Sequence, residues 1–485
     1  MDNPLKILFV SSEIESLVKT GGLADVAKSL PLALQQQGHQ VTLMMPYYRT
    51  MARHDEVQYI TDIYVENAHG AALRVPVLLL KIGEINVYCL EQNNYFDRPQ
   101  LYSEGEYGYP DNGERFAFFS AAALACSAAL DLDLDIIHCN DWHTGLVPYL
   151  LKTRYAEHPR LHRVKTVLTI HNAVFQGIFE HQQFSFLGQD IIAPLTDRLL
   201  DGYQCINMLK SGIRYADKIT AVSPNYAQEL LTRLGAHGLH EFFQQRQNDL
   251  VGIINGCDYN DWNPATDPLL PSHYQVDDLT GKSQCKQALQ QAVNLPVIQQ
   301  RPIFGMVCRL TEQKGFYLLL PALEQFLHHH VQVIIVGTGD SRIAEQLMAL
   351  QARFSDKLVF INAYDNKLAH LVEAGADFFL MPSLFEPCGL NQMYSLAYAT
   401  LPIVRGVGGL KDTVRDYDAD PSQANGFIFY QPESGDLLNI LRRALLLYLE
   451  DPEQMQQMQY RAMQQHFSWQ HAARLYSDLY REALL

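Results

Sequence analysis

The apolar run Leu5-Lys6-Ile7-Leu8-Phe9-Val10, with the helical stretch just downstream, constrains the fold of this chain more than any other segment. A run without polar alternation marks a strand covered on both faces. Leu23, Ala27, Leu30 and Leu34 then fall on one helical stripe, which stops at Gly38 before the next apolar run, Val41-Thr42-Leu43-Met44-Met45. A buried strand, a helix and a second buried strand make one turn of a doubly wound parallel sheet. At the strand-to-helix turn stands Lys19-Thr20-Gly21-Gly22-Leu23-Ala24-Asp25-Val26. Bare N–H groups there suit an anion such as phosphate, with Lys19 as a mobile cation beside them. For an isolated Gly-Gly a plain tight turn is the favoured account.

The pattern recurs. Ile85–Leu90, Ile136-Ile137-His138, Val164–Ile170, Ile219–Val222 and Val251–Ile254 read as further strands. Ligands of such sheets bind beyond the carboxyl ends of the strands, which singles out Asn140-Asp141-Trp142-His143, His171-Asn172 through Gln176-Gly177, Ser223-Pro224 and Asn255-Gly256. The aromatic, polar segment from Tyr95 to Asn112 reads as an excursion over that binding edge. Between Asn255 and Ser283 the periodicity lapses into Asn263-Pro264 and Pro268 punctuation, a linker signature. The architecture then restarts with Ile303–Cys308, the loop Arg309–Gly315, a helix from about Tyr317 to Phe326, and strands at Val331–Val336, Leu358–Ile361, Phe378–Met381 and Ile403-Val404. The expected domains are 1–254 and 255–465, each doubly wound and Rossmann-like, facing across a deep interdomain cleft. A C-terminal helix over 466–485, with Trp469, Ala473, Tyr476 and Tyr480 on one face, is expected to pack back on the first domain.

A length of 485 residues exceeds one comfortable core, in keeping with two domains. The net charge of −16 excludes a nucleic-acid partner and an anionic membrane surface as general modes of binding. The stretch Ala117–Leu130 is too short to span a bilayer and reads as a core helix. The N-terminal run does not resemble a signal peptide, and the eight scattered cysteines suggest reduced thiols, so a cytoplasmic protein is expected.

In the second half, Arg309 and Lys314 in one loop suit a diphosphate, the first as a planar fork and the second as a point charge. Pro382–Gln392 places Glu386 before a helix start. There a carboxylate complements the helix dipole, or reaches sugar hydroxyls or a cationic sugar centre. Val407-Gly408-Gly409-Leu410 repeats the Gly21-Gly22-Leu23 turn, so two helix N-termini are expected at the cleft.

Together Lys19-x-Gly21-Gly22-Leu23, His171-Asn172 with Gln176-Gly177, Arg309 with Lys314-Gly315, Phe385-Glu386-Pro387-Cys388-Gly389-Leu390 and Gly408-Gly409-Leu410 resemble the bacterial glycogen synthase family, which is close to plant starch synthase. The resemblance covers nearly the whole chain. It implies the GT-B fold and transfer of glucose from ADP-glucose to the non-reducing end of an α-1,4-glucan, glycogen or a maltooligosaccharide. Configuration is retained, no metal or other cofactor is required, and the protein is a monomer or weak homo-oligomer. It implies that Lys19, Arg309 and Lys314 hold the diphosphate, that Gly21 and Gly22 line the cleft, and that Glu386 contacts the donor glucose. Asp141 and His171 then lie near the reacting sugars and Tyr364 stacks on the adenine. Asp25, His143, Asn255, Cys388, Gly389, Leu390, Gly408 and Gly409 complete the expected substrate-binding set. UDP-glucose as donor, a shorter acceptor, and a catalytically silent glucan binder remain open alternatives. Three positions depart from the family pattern: Tyr394 where related transferases carry a second Glu, Asn391 where many members have Thr, and Gln204 where a Gly is usual.

Overall fold

The computed structural model describes residues 3–68, 70–105, 107–198 and 202–485. Glu106, inside the expected excursion, lies outside that set. The chain divides into two compact units, the first comprising 1–256 with 469–485 and the second 257–468.

The first unit is built on a nine-stranded sheet. From one edge run Leu250–Gly252, Lys218–Ala221, Lys165–Ile170, Ile136–Asn140, Lys6–Val10, Gln40–Pro46 and Ile85–Leu90, all mutually parallel. The central strands are buried on both faces, as continuous apolar runs require. Two further strands, Ala72–Ile82 and Gln58–Glu66, extend the sheet in antiparallel fashion, a departure from the parallel pattern read from the sequence. The outer strand, Gln58–Glu66, is covered on one face: Ile63 and Val65 are buried while Tyr64 between them is exposed. A register shift between Tyr59 and Thr61 breaks the two-residue period that would have announced the outer strand.

The helix Gly22–Gln36 buries Leu23, Ala27, Leu30 and Leu34 on the expected stripe. The alanine-rich stretch forms the core helix Asn112–Ala129. The last helix, Trp469–Leu484, belongs to the first unit and buries Trp469, Ala473, Tyr476 and Tyr480. Its seat is polar as well as apolar. His39 Nε2 lies 2.9 Å from Ser477 Oγ, and the buried His138 Nδ1 lies 2.6 Å from Tyr480 Oη. Burial holds both imidazoles below their ordinary range, so they pack as neutral rings.

The second unit carries a six-stranded, fully parallel sheet in the order Leu358–Ile361, Gln332–Val336, Ile303–Val307, Phe378–Met381, Leu401–Arg405 and Phe427–Phe429. The last of these is too short to register as an apolar run. Because each sheet is parallel through its centre, the segment after each strand emerges at the same edge. Those two edges collect the polar residues singled out by their place after a strand.

Candidate functional site: one carboxyl edge in each unit

In the first unit, Ser11-Ser12-Glu13 follows the strand Lys6–Val10, Asp141-Trp142-His143 follows Ile136–Asn140, and His171 follows Lys165–Ile170. Asp141 is 7% exposed and adopts a left-handed φ of 54°, a strained conformation for a non-glycine residue. Its Oδ1 accepts the His171 backbone N–H at 2.7 Å. Burial dominates its ionisation and pushes the carboxyl up to about 7, against the lowering effect of N–H donors from His171 and Asn172. The His171 ring is placed by Asn140, whose Oδ1 lies 2.9 Å from Nε2. Asn140 Nδ2 donates to the Val10 carbonyl at 3.0 Å, which fixes Oδ1 as the acceptor and assigns the His171 proton to Nε2. Burial pushes this imidazole down to about 3, so it is neutral with Nδ1 as its basic atom.

His143 sits differently from Asp141 and His171. Its ring is packed between Trp142, with centroids 4.0 Å apart, and Tyr102 at 4.6 Å, with Phe116 edge-on at 4.8 Å. Asn255 is also buried, and its Oδ1 has no hydrogen-bond partner among the described residues.

At the Gly-Gly turn the structure changes the picture drawn from sequence. Lys19 Nζ pairs with Asp25 Oδ1 at 2.6 Å, both side chains partly exposed. The N–H groups of Thr20 and Gly21 are not free for an anion: both donate to the carboxylate of Glu13. Sequence reasoning passed over Glu13, although it follows a strand just as Asp141 and His171 do. Tyr102, from the Tyr95–Asn112 excursion, reaches the same carboxylate with its hydroxyl at 3.2 Å.

In the second unit the loop Arg309–Gly315 and the loop Pro382–Leu390 lie side by side. Gln313 ties them, its carbonyl accepting Leu384 N–H at 2.8 Å and its Nε2 donating to the Phe385 carbonyl at 3.0 Å. Gly315 permits this approach: at φ 76°, a Cβ there would stand 1.9 Å from the Pro382 carbonyl oxygen. The result is a pair that sequence alone did not join. Lys314 Nζ lies 2.6 Å from Glu386 Oε2, and Ser383 Oγ donates to the same oxygen at 2.9 Å. Arg309 is exposed beside them and makes no ion pair among the described residues. Cys308, next to Arg309, has its thiol pushed up to about 12 by burial and is protonated.

Gly408 and Gly409 do not offer a second open helix end. The helix Gly408–Thr413 is short, and Gly409 N–H donates to the carbonyls of Glu386 at 3.2 Å and Pro387 at 3.1 Å. Gly408, at φ 44°, lies so close that a Cβ would be 1.9 Å from Glu386 O. Cys388 is buried in the clasped loop, Gly389 turns it at φ 73°, and Leu390 precedes the helix Asn391–Ala397. Tyr364 follows the strand Leu358–Ile361 and is 77% exposed.

The departures from the family pattern have structural accounts. Asn391 Nδ2 donates to the Val307 carbonyl at 2.7 Å, pinning the helix to the central strand. Tyr394 is stacked on Trp262, with centroids 4.1 Å apart and planes 6° from parallel. Gln204 opens the strand Gln204–Asn207 of a small antiparallel sheet, paired with Arg198.

Two doubly wound units, each parallel through the centre of its sheet and each with charged and polar groups at its carboxyl edge, have the build of a GT-B glycosyltransferase. Residues 6–245 match the starch synthase catalytic domain, and residues 290–465 match glycosyl transferases group 1. The chain is 58% identical over 483 residues to the glycogen synthase of Aeromonas hydrophila, with 99% of both chains covered. It is 54% identical over 485 residues to that of Vibrio parahaemolyticus, again with 99% of both covered. The catalytic domain of starch synthase IV from Arabidopsis thaliana, solved bound to ADP and acarbose, superposes with a TM-score of 0.89. That match has 32% identity and covers 99% of this chain and 100% of that one. The chain belongs to the bacterial glycogen synthase family of retaining glucosyltransferases.

Proposed function

We propose that this protein transfers glucose from ADP-glucose to the non-reducing end of an α-1,4-glucan, glycogen or a maltooligosaccharide, with retention of configuration. The observation that carries the reading is the Lys314–Glu386 pair at 2.6 Å beside the exposed Arg309. Departure of a nucleoside diphosphate needs its developing negative charge neutralised. Arg309 can take two phosphate oxygens through its planar fork. Lys314 has three donors, so it can keep Glu386 and still reach a phosphate oxygen. Glu386, oriented by Lys314 and Ser383, then faces the donor glucose, where a fixed carboxylate hydrogen-bonds hydroxyls and favours positive charge at the anomeric carbon.

In this reading Lys19 adds a third cation to the diphosphate, moving off Asp25 as the donor arrives. Gly21, Gly22 and Asp25 border the same ligand, and Tyr364 offers its open ring face to the adenine. Asp141 and the neutral His171 face the reacting sugars, and His171 Nδ1 accepts from a hydroxyl. His143, buried among aromatic rings, and Asn255 support that edge, while Cys388, Gly389, Leu390, Gly408 and Gly409 shape the loop that carries Glu386. Exclusion of water around the bound donor protects it from hydrolysis.

Arg309 and Lys314 supply the charge that a divalent ion supplies in other phosphoryl-leaving reactions, so no metal is needed in this scheme. We further assign the protein to the cytoplasm, as a monomer or weak homo-oligomer without nucleic-acid or membrane partners. No helix among the described residues is long and apolar enough to cross a membrane.

The test is a transfer assay with glycogen, offering ADP-glucose and UDP-glucose side by side, with and without EDTA, and Glu386→Ala as control. Expected are a strong preference for ADP-glucose, unchanged rates in EDTA, and a loss of several orders of magnitude in the variant. Failure to transfer from either donor overturns the reading, and loss of rate in EDTA overturns the metal-free scheme.

A further inference from the structure

The Lys19–Gly22 turn is held in an unusual way. Gly21 and Gly22 are not packed, since a Cβ at either would meet nothing within 4 Å. The helix they open has Gly21 at its N-cap and no side-chain cap. Among the described residues Lys19 is tied only to Asp25, six residues on. A turn with neither packing nor a cap is poorly determined unless something else fixes it.

Glu13 supplies the constraint. It is 3% exposed and makes no ion pair among the described residues. Its acceptor capacity is spent on this turn and on Tyr102. The turn contributes the backbone N–H of Thr20, the Thr20 hydroxyl at 3.0 Å from each oxygen, and Gly21 N–H at 3.3 Å. Tyr102 is fixed in turn by Ser12 Oγ, 2.7 Å from its hydroxyl. Burying a carboxylate costs free energy that its bonds here must offset, and burial holds Glu13 above the ordinary carboxylate range. An uncompensated anion under a turn that binds an anion would be self-defeating if electrostatics were its role. Positioning resolves the conflict: Glu13 takes the N–H groups of Thr20 and Gly21, leaving those of Gly22 and Leu23, which have no intrahelical partner, for the donor.

We propose that Glu13 is a positioning residue for the donor. By clamping Thr20 and Gly21 it sets the direction of the Gly22 and Leu23 N–H groups and of Lys19 toward the diphosphate. This rests on the proposed ADP-glucose reaction, and acts through donor binding rather than through the chemical step or the glucan.

The variant Glu13→Gln keeps the shape, and its amide oxygen can still take both backbone N–H groups, which share one carboxylate oxygen, while its NH2 faces the Thr20 and Tyr102 hydroxyls. What it removes is the negative charge on those contacts. Loss of a charge-assisted contact of this kind is expected to raise KM for ADP-glucose and Kd for ADP by about tenfold or more. kcat should change less than about threefold and KM for glycogen should hold, as for loss of uniform binding. Thr20→Val, which removes only the hydroxyl, should shift donor KM about threefold in the same direction. A merely structural role predicts otherwise: kcat and melting temperature would fall together while both KM values stay put. A folded Glu13→Gln enzyme with wild-type donor KM overturns the assignment. If wild-type protein itself fails to transfer from ADP-glucose, it is the underlying reading that falls. If Glu13→Gln does not fold, the donor KM of Thr20→Val decides, and an unchanged value overturns the proposal.

Discussion

Two Gly-Gly-Leu turns look like copies in the sequence and are built in opposite senses. At Gly21-Gly22 a Cβ on either glycine would meet nothing within 4 Å, and a carboxylate, Glu13, holds the turn from beneath. At Gly408-Gly409 the glycines are packed hard against backbone, and the turn holds a carboxylate's loop: Gly409 N–H caps the carbonyls of Glu386 and Pro387. The first turn needs small residues because of what comes to it. The second needs them because of what is already there. The carboxylates differ likewise. Glu386 has a cation, Lys314, while Glu13 and Asp141 are buried on hydrogen-bond donors alone.

The largest effect expected from this contrast is that of Gly408→Ala. Its Cβ would stand 1.9 Å from Glu386 O, and the left-handed φ of 44° adds strain. Backbone must move, and the backbone at hand carries Glu386. We expect a loss of about 3 kcal/mol or more in stability by calorimetry, and a fall in transfer well beyond the inactive fraction, because Glu386 is shifted from Lys314 and Ser383. Near-normal melting and turnover would show that the second turn is as open as the first and would break the comparison.

A smaller effect separates the carboxylates. Asp141 titrates at about 7 in the folded protein against about 3.9 in an unfolded chain, because burial disfavours its charge. Between those values the folded state binds a proton that the unfolded state has released. Stability therefore falls as pH rises from about 4 to 7 and levels off above. Asp141→Asn cannot ionise, and being the same size and shape it carries the same backbone strain as the aspartate, so the strain cancels in the comparison. Its melting temperature relative to wild type should thus climb from pH 5 to pH 8, by on the order of 2–4 kcal/mol in stability. A flat difference across that range would mean that the Asp141 carboxyl is solvated. Glu13, also raised by burial, leaves a residual slope of the same sign.

These contrasts mark where sequence is legible. Buried parallel strands and amphipathic helices announce themselves through apolar period, so the core of both sheets and the stripe of the helix Gly22–Gln36 could be read directly. The outer pair Gln58–Glu66 and Ala72–Ile82 could not. Its pattern is interrupted by the irregularity at Tyr59 and carries exposed tyrosines on a strand that is covered on one face. For the site, position after a strand flagged Asp141, His171 and Arg309, and position before a helix start flagged Glu386. Pairing is another matter: nothing in the spacing of Lys314 and Glu386 says that Gly315 lets their loops meet. Nor does a Gly-Gly pair say whether its missing side chains make room for a ligand or for the chain itself.

The smallest effect answers that last question for the first turn. Gly22 begins a helix, and a Cβ there meets nothing within 4 Å. Alanine is the better helix former, so Gly22→Ala should leave stability unchanged or raise it by up to about 1 kcal/mol. If the open space is where the donor lies, the same methyl must cost binding, and KM for ADP-glucose should rise several-fold while the melting temperature holds or improves. A plain solvent-facing turn gives the gain in stability with no change in KM. The two outcomes differ in the sign of the link between stability and donor affinity. Gly408→Ala cannot make that distinction, because there stability and function fall together.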